Sequence, residues 1–267
     1  MAFEIKKKIM NEKHFEKAKV VCQETLQPGI YSLVLETSAA ESAVPGQFVN
    51  LYLGDKSHLL PRPISICEID KAKSTLRLVY RLKGEGTRAV SELAAGDTLD
   101  ILGTLGNGFP LDIPAKRPMV IGGGIGVPPM LGLFQALSGD KLAVMGYLDE
   151  PFLLNEFNGA GGSTYVATES GRTGTKGNVI DAIRANDLAP DAIFACGPKP
   201  MLAAIKAFAE SANIPCYISM EERMACGIGA CLGCVVKTTA VDGHSKVKNA
   251  RVCADGPVFK ASEVDLT

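Results

Sequence analysis

The 267-residue chain contains no tryptophan, and only 6% of its residues are aromatic. That poverty removes the stacking platforms on which single-stranded nucleic acid is held. Neither sign of charge is in excess. The formal net charge is −1, so nothing draws the chain as a whole toward nucleic acid or an anionic membrane. No apolar run reaches the length of about 18 residues that crossing a bilayer needs. The basic start, with Lys6, Lys7 and Lys8, lacks the apolar core and cleavage site of a secretory signal. Hydrophobic residues make up 46% and charged residues 21%, the balance of a globular protein long enough for two domains and a small module. Eight cysteines without a secretion signal are expected to be reduced and cytoplasmic.

Three of those cysteines share one glycine-rich stretch, Cys226-Gly227-Ile228-Gly229-Ala230-Cys231-Leu232-Gly233-Cys234, and a fourth, Cys253, follows Val252. The C-x4-C-x2-C spacing is the plant-type pattern for a 2Fe–2S cluster held by four thiolates. Turning three sulfurs inward from one loop needs backbone conformations that glycine reaches and other residues do not. Zinc is an alternative reading, although structural zinc sites usually pair cysteines from two separate knuckles. A disulfide pair is another. Cys22, Cys67 and Cys216 lie in apolar strand contexts and read as packing residues. His244, beside the hairpin signal Asp242-Gly243, reads as an exposed turn residue and not as a ligand.

From Ala18 the chain turns to short apolar runs, around residues 20–22, 31–35, 48–53, 76–82 and 99–102. Turn residues such as Gln27-Pro28-Gly29 and Val44-Pro45-Gly46 separate them. Runs at this spacing predict an antiparallel barrel. Two features in it carry chemistry. Arg62-Pro63-Ile64-Ser65 offers a planar cation for a phosphate and a hydroxyl three residues on; its bland reading is a structural Arg-Pro turn. Gly84-Glu85-Gly86-Thr87 precedes a helix with Thr87 as the expected N-cap, a natural pyrophosphate site or simply a capped turn.

Beyond Pro114 the pattern changes to apolar strands alternating with helices, which predicts a parallel sheet covered on both faces. Its first strand ends in Gly122-Gly123-Gly124-Ile125-Gly126, with Val127 where a full dinucleotide fingerprint has its last glycine. Ligands of such sheets bind beyond the C-terminal strand ends. That gathers the glycine loop, Asp149, residues 168–171 and Cys196-Gly197-Pro198 about one crevice. Asp149 and Glu150 stand about twenty-five residues past the glycine loop, near the distance at which an acid meets the adenosine ribose and disfavours a 2′-phosphate. A solvated turn carboxylate is the competing reading. Cys196 reads either as a residue beside the nicotinamide or as a packing thiol.

Taken together, these motifs resemble the electron-transfer subunits of NAD-dependent (class 1B) dihydroorotate dehydrogenases, in the ferredoxin–NADP reductase superfamily. The resemblance spans about residues 17–262. It is carried by Arg62 to Ile66, Gly84-x-Gly86-Thr87, Gly122 to Gly126, Cys196-Gly197-Pro198, Met224 to Cys231, and Val252-Cys253-x-Asp255-Gly256-Pro257-Val258-Phe259. It implies an arm at 1–16, an FAD-binding β-barrel at 17–114, an NAD-binding α/β domain at 115–218 and a 2Fe–2S module at 219–267. It further implies that Arg62, Pro63, Ile64 and Ser65 bind the flavin and its phosphates, with Val79, Tyr80 and Arg81 on the strand beside it. Gly86 and Thr87 would hold the pyrophosphate. Gly122, Gly123, Gly124, Gly126, Asp149, Gly197 and Pro198 would face the NAD, and Cys226, Cys231, Cys234 and Cys253 the cluster. The partner implied is an FMN-containing subunit that oxidises dihydroorotate, two copies of each chain assembling, with electrons passing through the cluster and FAD to NAD+ in pyrimidine biosynthesis. Two departures stand out: Ile64 occupies a position that is often aromatic in the superfamily, and the 234–253 loop is long. A sibling reductase serving a sulfide- or ferredoxin-linked partner, and a zinc-bound interaction module, are the competing functions.

Overall fold

The computed structural model describes residues 14–54, 59–241 and 246–266. Asp242, Gly243 and His244, and with them the expected hairpin turn, lie outside the described residues.

Strands β1 (His14–Gln27), β2 (Ile30–Glu36), β3 (Phe48–Tyr52), β4 (Arg62–Asp70), β5 (Thr75–Arg81) and β6 (Thr98–Leu105) close into a barrel of order β1-β2-β5-β4-β3-β6. All its pairings are antiparallel. The period-two pattern drives this closure: along β6, Leu99, Ile101, Gly103 and Leu105 are buried while the residues between keep some exposure. Leu33, Leu35, Leu51, Leu76, Leu78 and Ile101 fill the interior. Two expectations are corrected here. His14 to Glu16, read as part of a charged arm, already belong to β1. Arg62-Pro63 opens a nine-residue strand and is not a turn. Pro63 sits next to the start of β4, where a missing N–H is tolerated.

The second unit is a sheet of β7 (Pro118–Gly123), β8 (Leu142–Tyr147), β9 (Ser163–Thr168), β10 (Thr175–Lys176), β11 (Ala192–Cys196) and β12 (Cys216–Ser219), all parallel. Every residue of β7 is buried, as a central strand covered on both faces requires. The helices are α1 (Glu85–Ser91) on the barrel, then α2 (Pro128–Ala136), α3 (Leu154–Gly159), α4 (Val179–Ala185) and α5 (Lys199–Ser211). The cluster stretch adds a small antiparallel ribbon, β13 (Val235–Lys237) with β14 (Asn249–Arg251). The chain then returns as β15 (Val258–Lys260) and pairs antiparallel with β12, so the last stretch supplies the seventh strand of the sheet.

The units share apolar interfaces. Cys67 and Val79 of the barrel pack in one core with Val127, Met130 and Leu131 at α2. The backbones approach closely there: a Cβ on Gly132 would stand 2.6 Å from the Cys67 carbonyl oxygen. A half-buried polar fastener flanks this contact. Arg77 of β5 meets Glu68 of β4 at 2.6 Å and Glu156 of α3 at 3.3 Å, and donates to the Ser32 hydroxyl at 2.9 Å. Among the described residues no helix is long and apolar enough to cross a membrane.

Candidate cofactor cavity and cysteine loop

Sheet order decides where a ligand can sit. From the central β7 the chain runs to one side through β8, β9 and β10, then returns to the other through β11 and β12. The reversal lies between β7 and β11, and the ends of such strands open the binding crevice of this architecture. The glycine loop and Cys196-Gly197-Pro198 are those ends, with Cys196 beside Gly122 in register. They are in contact. A Cβ on Gly126 would run into the Cys196 carbonyl, and one on Gly123 into Met201 of α5. On the other side Arg81 of β5 comes alongside, its guanidinium 3.6 Å from where a Gly124 Cβ would be.

A cavity of about 770 Å³ adjoins this point, at the meeting of barrel, sheet and final module. Arg62, Pro63, Gly86 and Thr87 line it from the barrel, Gly197 and Pro198 from the sheet, and residues 220–224 from the start of the cysteine module. Arg62 lies so close over Gly86 that a Cβ there would overlap its guanidinium; the glycine makes room for the cation. Thr87 is not the helix N-cap. That position is Gly84, and the Thr87 hydroxyl accepts from the Lys83 N–H at 2.8 Å and donates to the Gly84 carbonyl at 3.0 Å. The φ of 156° at Gly84 is open chiefly to glycine and starts the helix at Glu85, ahead of the threonine.

Other expected residues stand apart from the cavity wall. Ile64 and Ser65 are half-buried in β4. Val79 packs toward α2. Tyr80 turns into the barrel, where its ring stacks on Tyr31 with centroids 5.8 Å apart and its hydroxyl donates to Gln23 at 3.2 Å. What β5 can offer a ligand at Tyr80 is therefore backbone. Asp149 is farther out beyond β8, with its Oδ2 2.7 Å from Nη1 of Arg172; its Oδ1 is buried with no hydrogen-bond partner. Cys196 keeps part of its surface, but burial pushes its thiol up to about 12, against the opposing hydrogen bond with Ser219. It stays protonated at neutral pH and does not act as a thiolate.

The four module cysteines are free thiols, and backbone amides of the loop turn toward them: the Ile228 N–H donates to Cys226 Sγ at 3.5 Å and the Cys253 N–H to Cys234 Sγ at 3.4 Å. Burial acts to raise the Cys226 thiol, but the amides of Ile228, Cys231 and Ala230 and the Cys231 thiol outweigh it and hold it at about 6. Burial, with Cys234 alongside, pushes Cys253 up to about 12. The Gly229 N–H donates to Cys253 Sγ at 3.1 Å, and Arg251 braces the loop by donating to the Gly229 carbonyl at 3.1 Å. Among the described residues no three cysteine, histidine or carboxylate side chains gather as a single metal ion would need. Three cysteines supplied by one glycine-rich loop and a fourth from farther along suit a 2Fe–2S cluster better than the two-knuckle arrangement of a structural zinc site. Cys231 is exposed while Cys234 and Cys253 are buried, so the loop presents Cys231 outward. Cys67 and Cys216 are core residues, whereas Cys22 is only partly covered.

Sequence reasoning passed over Asn50, Met201, Ser219 and Arg172. Asn50 alone left a local sign, a polar residue inside the apolar run Phe48-Val49-Asn50-Leu51.

Comparison with known proteins agrees with this architecture. Residues 221–265 match the family described as the iron–sulfur cluster binding domain of dihydroorotate dehydrogenase B. The dihydroorotate dehydrogenase B (NAD(+)) electron transfer subunit of Listeria monocytogenes serotype 4b is 44% identical over 93% of this chain and 98% of its own length. That of Geobacillus sp. (strain WCH70) is 41% identical over 94% and 98%. Among solved structures, that of an NADH-dependent reduced ferredoxin-NADP oxidoreductase superposes with a TM-score of 0.83 at 24% identity, covering 96% of this chain and 92% of that one; it speaks for the fold. The chain belongs to the family of dihydroorotate dehydrogenase B (NAD(+)) electron transfer subunits.

Proposed function

We propose that the chain is the electron-transfer half of an enzyme of pyrimidine biosynthesis that oxidises dihydroorotate and reduces NAD+, with FAD, a 2Fe–2S cluster and NAD as its cofactors. Its partner is an FMN-containing catalytic subunit, and the assembly holds two of each chain in the cytoplasm. The observation that carries the reading is the shared cavity: residues 220–224, which lead into the cysteine loop, form one wall, and Arg62, Gly86 and Gly197-Pro198 form the others. When bound there, a flavin supplies the chemistry that exchanges a hydride with a nicotinamide and single electrons with an iron–sulfur centre.

The chain's own residues bind, orient and exclude water. Arg62 presents a permanently charged planar fork to phosphate oxygens. Gly86 and Thr87 lie beside it at the first turn of α1, and Pro63, Ile64 and Ser65 with the backbone of Val79, Tyr80 and Arg81 frame the ring. Gly122, Gly123, Gly124, Gly126, Gly197 and Pro198 let the nicotinamide nucleotide approach backbone at the strand ends, and Asp149 faces its ribose. Cys196 fills the position beside the nicotinamide as a neutral thiol. Cys226, Cys231, Cys234 and Cys253 would hold the cluster. The exposed side of the loop, with Cys231 and the apolar Ile228 and Leu232, is the face the partner covers. The barrel, which begins at His14 and runs to 114, the α/β domain at 115–218 and the module at 219–267, whose β15 returns to the sheet, divide these tasks.

Identity of about two-fifths over nearly the whole length favours this reading over a sulfide- or ferredoxin-linked sibling. Co-purification with the catalytic subunit, followed by a dihydroorotate-to-NAD+ assay, tests it. The expected result is a coloured complex with linked turnover. A complex that forms yet links ferredoxin or sulfide oxidation, and not dihydroorotate oxidation, to NAD+ would establish the sibling function.

A further inference from the structure

Asn50 is the fully buried polar residue in the middle of β3, with no exposed surface. In register it stands opposite Pro63 of β4 and Leu102 of β6, so it lies on the strand that adjoins the flavin-binding motif. Its side chain leaves the barrel for another module. The Nδ2 donates to the Cys226 carbonyl at 3.2 Å, across 176 residues of sequence. Gly227 packs against the same amide with a φ of +70°. A Cβ there would stand 3.0 Å from Oδ1 and overlap Nδ2. The Oδ1 itself is buried and accepts no hydrogen bond from the described residues.

An orphaned buried acceptor is costly, and a leucine of similar size would remove that cost. Packing between barrel and module therefore does not call for asparagine at this position. What the amide does is grip the first cysteine of the loop by its backbone, with glycine next to it so that the amide fits flat. We propose that Asn50 is a positioning residue for the cluster: it clamps the Cys226–Gly227 peptide to the flavin barrel and sets the cluster's register and potential from outside the ligand loop. The amide dipole, fixed against that peptide, acts on a cluster bound to Cys226. This rests on the reading of the four cysteines as 2Fe–2S ligands.

The test uses the full chain with Asn50→Leu, and with Gly227→Ala to push on the same contact from the loop side. In the apo chain, amide hydrogen exchange across residues 224–231 is expected to quicken by roughly tenfold, the size of one lost buried hydrogen bond. The melting temperature of Asn50→Leu should be unchanged or higher. In the iron-loaded chain the cluster's midpoint potential should shift and its EPR line shape change, while dye reduction by NADH is retained. Unchanged exchange and potential in both variants would overturn the proposal. So would a lower melting temperature in Asn50→Leu accompanied by loss of flavin, which marks an ordinary structural residue. If the unaltered chain takes up no 2Fe–2S cluster, the cysteine reading fails, and the exchange experiment on the apo chain still reports separately on the clamp.

Discussion

The two large units and the cysteine module are built on different principles. The barrel and the sheet each bury long side chains from many strands and helices, such as Leu33, Tyr80 and Ile101 in one and Ile121, Val144 and Phe194 in the other. In the module, the stretch from Glu221 to Gly233 forms no strand or helix, and Gly227 is its one buried residue; the buried side chains that follow, among them Cys234, Val236, Val252, Cys253, Phe259 and Val264, join the core of the sheet. Cys234 and Cys253 among them are cluster-ligand candidates. A loop that buries no apolar side chain of its own gains little to offset the entropy of ordering it, so metal binding is expected to contribute. The barrel and the sheet should thus tolerate loss of the cluster, while the module should not.

The sharpest way to break that contrast is Cys231→Ser. Iron should fall to background after reconstitution, and dihydroorotate-to-NAD+ turnover with the partner should vanish. Dye reduction by NADH should stay within about twofold, since Cys231 is not among the residues that line the cavity. A cluster-free variant that sustains the linked reaction at full rate takes the cluster off the electron path.

Next in size is Arg62→Ala on the barrel side. Losing a charged hydrogen-bonding partner costs about 1.5–3 kcal/mol, so flavin affinity should weaken by roughly tenfold to a hundredfold, read as flavin content after gel filtration. Full occupancy at unchanged affinity removes Arg62 from the site.

Gly132→Ala probes the junction between the large units. Forcing a methyl group against the Cys67 carbonyl should cost about 1–3 kcal/mol of stability, seen as a lower melting temperature with the iron content of the folded chain intact. A parallel loss of iron would show that the module depends on the barrel–sheet contact after all.

Smaller effects are expected at the sheet. Replacing Asp149 and Glu150 by Asn and Gln should narrow the preference for NADH over NADPH by a few-fold; equal rates in the unaltered chain exclude the assignment. Arg172→Ala, which frees Asp149, should move that preference the other way. Cys196→Ala should slow flavin reduction by NADH only slightly in stopped flow and leave flavin content unchanged. No change at all would make Cys196 a packing residue.

Much of this molecule could be read before folding it. The cysteine spacing, the glycine loop after an apolar strand and the alternation of strands with helices are local patterns, and local backbone geometry largely dictates them. β4 was hidden because Pro63 breaks the run, and strand identity there rests on partners in β3 and β5. The start of α1 was misplaced because the conformation at Gly84, not the Thr87 side chain, sets where the helix begins. Only the tertiary structure decided that Tyr80 turns inward, that Asp149 is engaged by Arg172, and that the last strand completes the sheet. The grip of Asn50 on the peptide after Cys226 belongs to the same class. Such contacts join residues far apart in sequence, and no periodicity records them, because which groups meet is settled by how the barrel, sheet and loop pack together.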